Sequence, residues 1–125
     1  MLIKIPTLKK EYIDGEVVRK REELEVEIDT SFLAHLKWEE QFQKTTGCSL
    51  TVYTAKMQEA LKDEVKAKAH FVSLLKLLYC YVNSDKLPTF REFCSLFDYE
   101  IADEILNKIA VVFEEVNKSV VSKKN

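Results

Sequence analysis

Glycine and proline are nearly missing from this chain: its 125 residues hold two of each, Gly15, Gly47, Pro6 and Pro88. So few breakers exclude a many-turned β-sandwich and favour long regular elements, helices above all. Two glycines far apart also exclude a glycine-rich phosphate loop, and with it most nucleotide-dependent chemistry. Cysteine occurs three times, at Cys48, Cys80 and Cys94. The odd number and the lack of C-x-x-C spacing point to buried thiols in a reducing compartment. No apolar run approaches the roughly 20 residues of a membrane-spanning helix. The longest, Phe71 to Val82, is broken by Ser73 and Lys76 and reads as a buried core helix. Charge of one sign is not in excess either, since 19 basic and 21 acidic residues leave a net charge of −2. That balance gives no broad attraction to nucleic acid or anionic membrane. The opening MLIKIPTLKK puts apolar residues before lysines, the reverse of a secretory leader, so no export signal is expected.

What is present has two textures. Leu2-Ile3-Lys4-Ile5 and Leu24 to Asp29 place apolar residues at every second position, which predicts half-buried strands. Between them, Tyr12 to Val18 contains Asp14-Gly15, a strong signal for a tight hairpin turn. A small antiparallel ribbon over residues 1–29 is therefore expected, leaning on helices because two or three strands alone are marginal. The basic cluster Arg19-Lys20-Arg21, followed at once by Glu22-Glu23, reads as a solvated turn or strand edge.

From Thr30 the pattern becomes helical. Asp29, Thr30 or Ser31 suits an N-cap, and Gly47 stands where a left-handed C-terminal residue belongs. On a helix from about Ser31 to Thr45, Phe32 and Leu36 share one side, and Ala34, Trp38 and Phe42 share another. With Leu33 these positions cover more than half the circumference, wider than the stripe one core requires, and the surplus hints at a second surface to cover. Ser49 to Thr54, with Leu50, Val52 and Tyr53, reads as extended. A second helix from about Thr54 carries Met57, Leu61 and Val65 on one face and continues or restarts into Ala69–Val82, with Asn83-Ser84-Asp85 ending it. Pro88-Thr89 opens a short helix with a Thr89/Glu92 capping box and Phe90, Phe93, Leu96 and Phe97 at helical spacing. The last helix repeats Ile101, Ile105, Ile109, Val112, Val116 and Val120, widened by Ala102, Leu106 and Phe113, before a polar tail, Ser122 to Asn125, expected to fray. The expected fold is α+β and mainly helical: a single domain over 1–125, with the ribbon followed by four to five helices over 30–120 and a frayed tail over 121–125.

Chemistry is hard to find. His35 and His70 lack cysteine or carboxylate partners at ligand spacing, so no metal site is expected. Cys80 lies among apolar neighbours, which would raise its pKa, so a thiol enzyme has little behind it. Glu39-Glu40 and Glu114-Glu115 are adjacent on their helices and point about 100° apart, unsuited to a close acid–base dyad. A helix-turn-helix over Phe93 to Ile109 would present Glu100, Asp103 and Glu104 to DNA and repel it. Neither a catalytic residue nor a cofactor is expected. What remains is protein binding, by Phe32, Leu33, Leu36, Trp38, Phe42, Tyr53, Phe90 and Phe93, with Trp38 itself mostly in the core.

Several short motifs carry a resemblance. The strand-rich start ends in Asp29-Thr30-Ser31 and leads to Trp38-Glu39-Glu40-Gln41-Phe42; after the glycine break and a long helical region comes Pro88-Thr89-Phe90-Arg91-Glu92-Phe93, then the amphipathic final helix. Over roughly residues 24 to 118 this resembles the tail assembly chaperones of long-tailed phages and prophages of Gram-positive bacteria. The resemblance implies a non-enzymatic protein of the bacterial host cytoplasm that coats the tape measure protein and recruits the tail tube subunits, the major tail protein, to it. It also implies self-association, and neither nucleic acid nor membrane as a partner. The rival readings are a helical adaptor or inhibitor of another protein and, further off, a DNA-binding regulator.

Overall fold

The computed structural model describes residues 1–83 and 89–124. The expected hairpin is present: β1 (Leu2–Ile13) pairs antiparallel with β2 (Glu16–Ile28) in continuous register from Leu2↔Glu27 to Ile13↔Glu16. Its turn is Asp14-Gly15, with φ of 53° and 79°, the doubly left-handed geometry of a type I′ turn, whose twist matches the strands it joins. A third strand, β3 (Val82–Asn83), adds to the proximal end of β2 through Glu27↔Asn83 and Ile28↔Val82, giving the order β1-β2-β3.

Seven α-helices follow β2 among the described residues, against the four to five expected: α1 (Leu33–Gln41), α2 (Gln43–Thr46), α3 (Leu50–Leu61), α4 (Glu64–Ala69), α5 (Phe71–Tyr81), α6 (Phe90–Cys94) and α7 (Ala102–Lys124), the last preceded by a 3-10 turn, Tyr99–Ile101. The surplus comes from breaks inside two expected helices. Phe42 leaves helical geometry at φ −128°, ψ −25°, so the helix expected to reach Thr45 divides there. Asp63 is extended and its carboxylate accepts from the Val65 and Lys66 N–H groups, ending α3 and capping α4. That break turns Val65 out to 78% exposure, so it does not share the Met57 face as expected.

Ser49 to Thr54 is helical, not extended. Ser49 caps α3 by accepting from the Val52 N–H at 3.3 Å, and Leu50, Thr54 and Met57 are buried at helical spacing. A cap and one buried face outweigh the few tenths of a kcal/mol by which β-branched and aromatic residues disfavour a helix. Val82, expected to end α5, belongs to β3 instead, because its main chain completes the sheet. Ser84, Asp85 and Pro88, expected to end one helix and begin the next, lie outside the described residues, as do Asn125 and the Val120 side chain. α7 runs as helix through Lys124 where fraying was expected from Ser122.

α5 is the centre. Phe71, Leu74, Leu75, Leu77, Leu78, Tyr79, Cys80 and Tyr81 are all buried, so it is covered nearly all round. Ile101 of the 3-10 turn and the α7 stripe Ile105, Ile109, Val112 and Val116 pack in the same core, with Ala102, Leu106 and Phe113 beside them. The ribbon contributes Ile3, Ile5, Val26 and Ile28. α1 is fastened to the sheet at its start. The buried Asp29 carboxylate accepts from the Ser31 N–H at 2.8 Å, from the Ser31 hydroxyl and from Asn83 Nδ2 at 2.9 Å. Lys37 of α1 donates to the Val82 carbonyl at 3.1 Å.

Candidate functional site

α1 divides its apolar residues cleanly. Ala34 and Trp38 face inward and Phe42 follows them into the core, while Phe32, Leu33 and Leu36 are 82%, 54% and 49% exposed. The helix phase alone explains the split: Ala34, Trp38 and Phe42 are spaced by four, and Phe32 and Leu36 form the parallel row. Ser31 holds the first turn in place, its Oγ accepting from the Leu33 N–H at 3.2 Å.

Beside this face lies a cavity of about 370 Å³ between α1, α3 and α7. Phe32 and His35 form its lip, Thr51, Ala55 and Gln58 of α3 one wall, and Val116 of α7 another. On its floor Thr54 Oγ1 and Tyr81 Oη lie 2.8 Å apart, and the Thr54 hydroxyl donates to the Leu50 carbonyl at 2.8 Å. Burial pushes the Tyr81 hydroxyl up, and with the Thr54 proton given to the Leu50 carbonyl, the Tyr81 hydroxyl is left to donate to Thr54 Oγ1. No Asp, Glu, Lys or Arg lines the cavity. A shallow depression continues over Leu33 and Leu36 to Glu39.

The eight expected partner-binding residues therefore fall into three groups. Phe32, Leu33 and Leu36 come together on the outer face. Trp38, Phe42 and Phe93 are interior, which corrects their place among the partner-binding residues, while for Trp38 it agrees with the expectation that it lies mostly in the core. Trp38 is fully buried; its Nε1–H donates to the Cys48 carbonyl at 2.8 Å, and its ring centroid lies 4.8 Å from Tyr53 and 5.3 Å from Phe42. Phe93 is fully buried against Tyr79 and Phe97. Tyr53 and Phe90 are half-buried, Tyr53 on Trp38 and Phe90 edge-on to Phe42 at 5.0 Å. Aromatic side chains cluster because offset and edge-to-face contacts add to the large area each ring buries. The α3 wall was missed by sequence reasoning. Its signal is a row of small or neutral residues at helical spacing, Thr51, Thr54, Ala55 and Gln58, on a helix whose other polar residues include charged ones.

Elsewhere several ionisable groups pair with one another. Lys10 meets Asp98 at 3.2 Å and Glu100 at 2.9 Å, Arg19 holds both Glu100 oxygens at 3.0 and 3.1 Å, and Arg21 pairs with Glu104. The Arg19 and Lys10 hydrogen bonds bring the Glu100 carboxyl down to about 2. The basic cluster on the ribbon and the acidic start of α7 are thus each other's partners. Burial pushes the Cys80 thiol up to about 12 and raises Cys94 as well, so neither is a ready thiolate. Among the described residues no group of three or more His, Cys, Asp or Glu side chains is placed to hold a metal ion, and no helix is long and apolar enough to cross a membrane. Comparison with family models, with curated proteins and with solved structures finds no match.

Proposed function

We propose that this is a non-enzymatic protein-binding protein, one that works by covering an apolar segment of another chain. Within that class we read it as a phage tail assembly chaperone of the bacterial host cytoplasm, which holds the tape measure protein and brings the major tail protein to it. One observation carries the reading: Phe32, Leu33 and Leu36 stand exposed in a row on α1, next to an uncharged cavity about 370 Å³ in volume. An amphipathic helix docks through side chains at i, i+3 and i+4 into a groove of this kind. Tape measure proteins are long, helical and prone to aggregate, which suits a reversible apolar contact. The motif resemblance over residues 24 to 118 supplies the particular partner.

The test is co-expression with the tape measure protein from the same genome. The long protein is expected to become more soluble and to co-purify with this chain. Leu36→Asp is expected to abolish the complex while leaving the melting temperature within a few degrees of the parent. A soluble tape measure protein that never co-purifies refutes the chaperone assignment. A complex indifferent to both Leu36→Asp and Phe32→Ser refutes the α1 site.

A further inference from the structure

The cavity beside α1 has a wet rim and a dry floor. Thr30, Ser31, Thr51 and Asn117 in its lining are exposed, and His35 and Gln58 are half-buried, so their polar atoms stay within reach of water. Of its polar lining residues only Thr54 and Tyr81 are buried, at 6% and 5% exposure. Their hydroxyls decide what the deepest part of the cavity accepts, because a polar group buried there without a partner is penalised. The direction of the hydrogen bonds on the floor is fixed. Thr54 Oγ1 has a single proton and lies 2.8 Å from both the Leu50 carbonyl oxygen and Tyr81 Oη. The carbonyl brings no proton, so Thr54 donates to Leu50 and Tyr81 donates to Thr54. Tyr81 Oη is left with lone pairs that no donor fills among the described residues.

The floor therefore offers an acceptor and no donor. A carboxylate set there meets lone pair with lone pair, and a wholly apolar side chain leaves Tyr81 Oη dry and unpaired. Lysine and arginine donate, but no Asp or Glu lines the cavity to balance a buried cation. Asparagine, glutamine and histidine bring an acceptor along with the donor, and the floor has nothing to give it. Serine and threonine are too small for a cavity of about 370 Å³. Tryptophan is the one neutral side chain that donates and does not accept. Size agrees with polarity. A cavity of about 150 Å³ already holds benzene, and this one is more than twice as large. The single ring of a tyrosine underfills it, whereas the bicyclic indole uses more of the room.

We propose that the cavity between α1, α3 and α7 is an anchor pocket for a tryptophan of the bound segment, whose indole N–H is donated to Tyr81 Oη while the ring lies between the Ala55 and Val116 walls. This anchor rests on the docking role proposed above for the α1 face, and adds the residue that the partner brings to it. A helix laid along Phe32, Leu33 and Leu36 carries its contacts at i, i+3 and i+4, so one of them enters past the lip of Phe32 and His35. A buried aromatic side chain in a desolvated pocket, ringed by weaker contacts, commonly dominates an interface of this kind. Selection lies in the floor. A segment with leucine or phenylalanine at that place binds through apolar area alone, and one with tryptophan adds the hydrogen bond.

The probe is indole itself, added to the intact protein alone and read by the backbone amide signals of Thr51, Ala55 and Gln58 in NMR spectra. A dissociation constant of about 1 mM is expected, with phenol and benzofuran, which has an acceptor in place of the N–H, each about tenfold weaker. Thr54→Val keeps the side-chain shape and removes the oxygen to which Tyr81 donates. The freed Tyr81 proton then serves benzofuran, so the preference for indole over benzofuran is expected to vanish. Ala55→Trp, at an exposed position on the cavity wall, fills the space from this chain and is expected to abolish indole binding without lowering the melting temperature. Signals that stay unmoved well above the expected constant overturn the proposal. So does benzofuran or phenol binding as tightly as indole, or a preference for indole that survives Thr54→Val. The tape measure protein takes no part in these measurements. An indole-binding chain that fails to co-purify with it refutes that partner and leaves the pocket, whereas a complex unaffected by Ala55→Trp refutes the pocket as its anchor.

Discussion

Replacing Trp38 by alanine takes out the largest fully buried side chain of the molecule and separates two ways in which a single tryptophan can matter. The indole is fully buried, donates to the Cys48 carbonyl at 2.8 Å, and touches the Phe42 and Tyr53 rings. Truncating a buried Trp to Ala costs about 3–5 kcal/mol through lost transfer energy and the cavity left behind. Part of that is the Cys48 carbonyl, which loses its donor in a half-buried site. For a domain of this size the loss corresponds to a fall in melting temperature of about 10–20 °C. Trp38→Phe keeps a six-membered ring but loses the donor and the rest of the indole volume, so about 1–3 kcal/mol, or about 5–10 °C, is expected. Far-UV circular dichroism on heating, with a urea series as a second measure, reads both. A Trp38→Ala protein that melts within 3 °C of the parent and yet loses partner binding would refute the core assignment and make Trp38 an interface anchor.

The remaining expectations follow from local geometry. Phe32→Ser and Leu36→Asp, on the exposed face of α1, should each change stability by no more than about 0.5 kcal/mol in a urea titration. Gly15→Ala forces a Cβ into φ 79° and should destabilise the ribbon by about 1 kcal/mol, read as faster amide exchange in β1 and β2. The Glu100 carboxyl titrates at about 2 when folded, below its ordinary value of 4.5. Its contribution to stability is therefore complete above pH 4.5 and is lost as pH falls towards 2, and Glu100→Gln should flatten the stability profile in that window. Cys80, buried and held at about 12, should resist a thiol reagent at neutral pH until the protein is unfolded, while a reactive native Cys80 would contradict its placement.

The parts legible in the sequence are those in which one periodicity ran unopposed. The Asp14-Gly15 turn, the alternating strands and the α7 stripe needed nothing from the rest of the chain, and each is present. On α1 the helix phase sorted Trp38 and Phe42 from Phe32 and Leu36 correctly. It also placed Trp38 mostly in the core, but it left Phe42 among the partner-binding residues, because how deep that residue sits depends on where α5 lies. Ser49 to Thr54 misled because β-branched residues were weighed above a serine cap whose value appears only once Leu50 and Thr54 have a core to face. β3 was invisible for a related reason: Val82 and Asn83 are a strand only because Glu27 and Ile28, far back in the chain, present an edge at that spot. The cavity wall on α3 was missed because Thr51, Ala55 and Gln58 look like ordinary helix surface until α7 closes beside them.

β3 also bears on the order of events on the ribosome. The hairpin is the most local element of the fold and is synthesised before the helices that cover it. Its apolar face of Ile3, Ile5, Val26 and Ile28 is covered by residues of α5 and α7, and Asp29 finds Asn83 only after α5 has been made. At about 5–20 residues per second, the stretch from Ile28 to Val116 takes about 4–18 s to synthesise. Through that interval the two strands, marginal on their own, have no helix against which to bury Ile3, Ile5, Val26 and Ile28.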